Sequence, residues 1–101
     1  MIAAHIPNLM DRSRFGGSDV RFVAEAAEAV DADLVLVDLD RCVEVDAFAS
    51  LGGHTVGFGA HVDGDRLALA AAVGFDEVMA RSAFFRRLPS LLTEEGEGAN
   101  G

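Results

Sequence analysis

The chain has no lysine, no tryptophan and no tyrosine, one cysteine and only two prolines. Each scarcity excludes something. A lone Cys42 excludes a disulfide framework and a thiolate metal site. Eight arginines supply all the Lys/Arg charge and are outnumbered by 17 acids, for a net charge of −9. Phosphate contact needs a basic face, so direct nucleic-acid binding is disfavoured. No apolar stretch approaches the roughly 18 residues of a membrane span. The start, Met1-Ile2-Ala3-Ala4-His5-Ile6, lacks the basic segment and long apolar run of a signal peptide, so a cytoplasmic protein is expected.

Half of the 101 residues are hydrophobic, enough for one core and one domain. The organising stretch is Ala32-Asp33-Leu34-Val35-Leu36-Val37-Asp38-Leu39-Asp40. A short, Val-rich apolar run of this kind reads as a strand covered on both faces, the signature of a parallel sheet. Its end carries Asp38 and Asp40, and sites in open α/β sheets collect at the carboxyl ends of strands.

Around it the pattern alternates. Strands are expected over 2–6, 19–23, 32–39, 55–60 and 75–80, and helices over 9–15, 24–30, 42–51, 63–74 and 83–92. A competing reading joins 18–30 into one helix capped by Ser18 or Asp19. Gly16-Gly17, Gly52-Gly53 and Gly74 are expected helix stops, Asp63 is an expected N-cap, and Arg81-Ser82 an expected turn. The apolar face of the 63–74 helix is read as Leu67, Ala70, Ala71 and Val73. Pro89 should kink or divide the last helix. The expected fold is a doubly wound, five-stranded parallel sheet of order 2-1-3-4-5 with a shortened first helix. Residues 1–92 form the domain, and the acidic stretch 93–101 is read as a disordered tail.

With the strands placed, the chain from Ile2 to about Leu92 resembles a response-regulator receiver domain, a flavodoxin-like fold. The resemblance rests on Asp33-Leu34-Val35-Leu36-Val37-Asp38-Leu39, on Thr55-Val56-Gly57-Phe58-Gly59-Ala60-His61, and on Ala71-Ala72-Val73-Gly74-Phe75-Asp76-Glu77-Val78-Met79-Ala80-Arg81-Ser82, which resembles the family's fifth-strand region. It implies that Asp38 occupies the phosphoacceptor position. Several of the family's other positions depart. His5-Ile6-Pro7-Asn8 stands where an acidic pair holds Mg²⁺, Gly59 where a hydroxyl is usual, and Arg81-Ser82 where Lys-Pro is usual. The likeness is therefore to a degenerate, pseudo-receiver type.

The candidate chemistry follows from these positions. Asp38 either accepts phosphate, which requires Mg²⁺ held with Asp40 or Asp11, or forms a structural ion pair with Arg81 or Arg12. Arg12, Arg14, His61, Arg81 and Ser82 are expected at the same sheet edge, as an anion or metabolite site or as charge balance for nearby acids. His5, His54 and His61 lie in separate elements, so no metal site is expected. Ser82, His61 and Asp38 match a catalytic triad by composition alone, and Gly57-Phe58-Gly59 lacks the spacing of a dinucleotide fingerprint. Phe84, Phe85 and Leu88 are read as core or as an interface. The function expected is a stand-alone, non-enzymatic interaction module without a cofactor, acting on a protein partner or as a homodimer and away from membranes. A phosphoacceptor regulator and a small anion-binding domain are the alternatives.

Overall fold

The computed structural model describes the backbone of residues 1–60 and 64–98, and side chains among these up to residue 93. Five strands, β1 (Ile2–His5), β2 (Val20–Phe22), β3 (Leu34–Asp38), β4 (His54–Gly59) and β5 (Glu77–Ala80), form one all-parallel sheet of order β2-β1-β3-β4-β5. The register is continuous across the centre: Ala4 of β1 sits beside Leu36 of β3, and Leu36 beside Val56 of β4. This is the doubly wound α/β fold of the flavodoxin-like kind.

The alternation of side chains along a strand divides the sheet residues between two cores. Ala3, Val35 and Val37 face one side, with Val23, Phe48, Ala70 and Phe75 over them. Ile2, Ala4, Leu34, Leu36, Val56 and Phe58 face the other, under Phe15, Phe84, Leu88 and Leu91. The first side is covered by helices α2 (Val45–Ala49) and α3 (Gly64–Val73) and by a 3₁₀ turn at Ala26–Ala29. The second is covered chiefly by α4 (Arg81–Gly98).

The crossovers are shorter than the sequence pattern suggests. Helix α1 (Leu9–Ser13) starts at Asn8, whose side chain accepts from the Met10 and Asp11 N–H groups, and a left-handed Gly16 (φ 58°) turns the chain toward β2. The 24–30 segment makes only the 3₁₀ turn. Its cap residue, Glu25, makes no side-chain capping bond, and the Ala26 N–H goes instead to Glu44 Oε1 at 3.1 Å. The alternative helix over 18–30 is absent, since β2 occupies its first half. The 42–51 helix shrinks to α2 because Cys42 is extended and Val43 points into solvent.

Helix α3 packs through Leu67 and Ala70, whereas Ala71 and Val73 of the expected face are exposed. Gly74, at φ 122°, ends it. The expected N-cap, Asp63, lies outside the described residues. Arg81 and Ser82 are not a turn but the first residues of α4, because β5 passes directly into the helix. Helix α4 continues through the exposed Pro89 without division, and its backbone stays helical to Gly98, inside the stretch read as a tail.

Candidate functional site

Three strands end side by side at the carboxyl edge, at His5, Asp38 and Gly59. Asp38 is 2% exposed. Its carboxylate caps the 3₁₀ turn Leu39–Arg41, accepting from the Asp40 N–H at 3.1 Å, and its other oxygen lies 3.8 Å from Arg41 Nε. Burial raises the Asp38 pKa above the usual carboxylate value; the Asp40 N–H and the charges of Arg41 and Arg81 oppose the shift in part. The ion-pair partner is thus Arg41, not the expected Arg81 or Arg12.

Arg81 is engaged elsewhere. Its guanidinium makes a two-pronged contact with both carboxylate oxygens of Asp11, at 2.9 Å for the Nη1–Oδ2 arm. Asp11 is buried on α1 while Leu9 and Met10 beside it are exposed, so the helix turns its acid inward. Hydrogen bonding to Asp11 raises the Arg81 pKa beyond its already high value. Arg12 also leaves the group: its Nε donates to Ile6 O at 2.7 Å and its guanidinium lies 4.9 Å from the Phe22 ring centroid.

Asp40 closes the end of β4. Oδ2 accepts from the Ala60 N–H at 2.8 Å, and Oδ1 lies 3.6 Å from Arg66 Nε. A Cβ on Gly59 would stand 3.1 Å from Asp40 Oδ1 and 3.2 Å from Leu67, so the carboxylate fills space that a side chain at this position would need. Gly57 is just as confined, by Leu39 and Phe75, in keeping with its reading as a close-approach glycine.

Among the described residues no three His, Cys, Asp or Glu side chains converge to hold a metal. Asp38 is committed to its own turn, Asp11 to Arg81 and Asp40 to β4, so this donor set does not fit the Mg²⁺ that the receiver resemblance implies. His5, at the carboxyl edge, bonds Val23 O through Nδ1 at 3.1 Å. His54 is at the opposite edge, 2.7 Å from Glu77. His61 lies outside the described residues, and with it one member each of the anion edge and of the triad composition.

What remains of the expected edge is Arg14, Arg81 and Ser82, which line one cleft of about 480 Å³ with Phe85 and Arg86. Arg86 follows the Phe84-Phe85 pair directly in sequence. Ser82 and Arg86, four residues apart, share a helix face once Arg81-Ser82 is read as helix. Phe84 and Leu88 are core residues rather than interface, with Phe84 stacked on Phe58 at 4.1 Å, and only Phe85 of that trio reaches the surface.

No helix among the described residues is long and apolar enough to cross a membrane. Comparison with family models, curated proteins and solved structures found no match to the chain.

Proposed function

We propose that this chain is a receiver-like interaction module of the pseudo-receiver type, working by contact with a protein partner or a second copy of itself and not by turnover. The observation that carries the reading is the self-contained carboxyl edge. Among the described residues of that edge, Asp38, Asp11 and Asp40 each hold an internal partner, which argues against their use for phosphate or Mg²⁺. A surface suited to contact adds support. Leu69 and Val73, one helical turn apart on α3, are 60% and 37% exposed. In receivers the corresponding helix, last strand and last helix commonly make dimer and partner contacts.

Incubation with acetyl phosphate and Mg²⁺, followed by intact-mass measurement, tests the reading. The expected result is an unmodified chain. A Mg²⁺-dependent phosphoryl adduct that disappears in Asp38→Asn overturns it in favour of an atypical phosphoacceptor.

A further inference from the structure

Most of the arginines are spoken for. Arg12 donates to a main-chain carbonyl, while Arg41, Arg66, Arg81 and Arg87 face Asp38, Asp40, Asp11 and Glu77. Among the described residues Arg14 and Arg86 have no carboxylate partner, and both open onto the cleft that Arg81, Ser82 and Phe85 complete. Three guanidinium groups around one cleft repel each other, and Asp11 neutralises only one of them. In a chain of net charge −9 this is a local reversal of sign.

The groups are also positioned. The Phe85 ring carries Arg14 at 4.6 Å and Arg81 at 5.0 Å from its centroid. The ring steadies Arg14, whose guanidinium N–H donors suit a two-pronged contact with an oxyanion, whereas the Arg81 fork is already taken by Asp11. Ser82, exposed in the first turn of the 18-residue α4, adds a hydroxyl donor.

We propose that this cleft binds the phosphate group of a small molecule in its dianionic form. Two uncompensated guanidinium charges match the charge of a phosphate monoester near neutral pH, between −1.5 and −2 or about that. A long polyanion is disfavoured, because beyond the cleft it would run along a strongly acidic surface. The proposal does not rest on the receiver reading: it holds whether or not Asp38 accepts phosphate.

The test is an amide NMR titration of the full chain with inorganic phosphate, with glycerol 3-phosphate and with a single-stranded oligonucleotide, at constant ionic strength set with chloride. Saturable shifts are expected around Arg14 and over Arg81–Arg86, stronger above the second phosphate pKa of about 6 than below it. Arg14→Gln and Arg86→Gln should each weaken binding by about tenfold, with circular dichroism unchanged. Arg21→Gln, on β2 with its side chain on the sheet face opposite Val20 and Phe22, should have no effect. Tighter binding of the monoester marks an organic phosphate as the ligand; equal binding marks free phosphate. Shifts that fail to saturate, that survive in the Arg14→Gln/Arg86→Gln double variant, or that are stronger with the oligonucleotide overturn the proposal.

Discussion

Replacing Arg81 should damage the fold far more than replacing the acid it pairs with. The Asp11 side chain is 4% exposed and the Arg81 side chain 44%. Arg81→Met keeps the apolar stem and removes the charge, which strands a buried carboxylate with no cation against it. Breaking a buried pair from that side costs about 3–5 kcal/mol, a large share of the roughly 5–15 kcal/mol total of a domain this size. Asp11→Asn leaves a guanidinium that keeps contact with water, and should cost about 1 kcal/mol. The double variant, with neither charge, should recover to a loss of about 2 kcal/mol. The interaction energy between the two positions should then be about 2–4 kcal/mol. Arg81→Met also loses the contact with Phe85, but the same loss occurs in the double variant and cancels in the cycle. The assay is urea unfolding followed by far-UV circular dichroism, because the chain has no tryptophan or tyrosine to report by fluorescence. Equal losses for the two single variants, with additive behaviour in the double, would refute the argument and make the pair an ordinary surface contact.

Other perturbations have equally definite signs. Burial raises the folded-state pKa of Asp38, so this group favours folding below its unfolded value, about 3.9, and that contribution is lost as pH rises through the folded value. Asp38→Asn keeps an oxygen for the Asp40 N–H and should be neutral or stabilising at pH 7; a clear loss in urea unfolding there would contradict this. Asp76 and Glu77 are shifted the other way, Asp76 chiefly by the Thr55 N–H and Glu77 by Arg87. Their contribution is present above the unfolded carboxylate range and is lost as pH falls through the lowered values, which an acid titration of the thermal midpoint of wild type against Asp76→Asn should register. Burial raises the Cys42 thiol pKa, so a disulfide exchange reagent at neutral pH should label it only as fast as the chain opens, and at once in denaturant. Gly53→Ala would put a Cβ 2.3 Å from the Ala32 carbonyl oxygen, main chain that cannot step aside, and should cost about 2–3 kcal/mol in the same unfolding assay.

The sheet was readable because each strand carries its own signal. Leu34 to Val37 is apolar on both faces, as a central strand must be, and the glycines after 15, 51 and 73 mark the turns. The short crossovers were less readable, since a 3₁₀ turn and a helix share their composition over four or five residues and differ in capping. Ala26–Ala29 is helical in composition but has no capping side chain. The carboxyl edge was the least readable part. Asp11 is buried next to the exposed apolar Leu9 and Met10, an inversion of the usual pattern that its partner explains, and that partner is 70 positions away. Likewise, Asp40 follows Asp38 in sequence as though the two formed a pair, yet it turns to the Ala60 N–H of another strand. Placing a turn at Arg81-Ser82 hid the helix face that Ser82 shares with Arg86, and with it the arginine cleft.

The division of the sheet between two covers bears on how the chain is made. One face gains its cover progressively, from the turn near Ala26, then α2, then α3. The other face, with Leu36, Val56 and Phe58 at its centre, depends on Phe84, Leu88 and Leu91 of the last helix. During synthesis from the amino end, that face stays open until nearly all of the domain has been translated, even though β1, β3 and β4 are already available to pair. A chain truncated before Phe84 would leave an apolar sheet surface open to solvent, whereas one truncated just past Leu91 keeps the side chains that cover it.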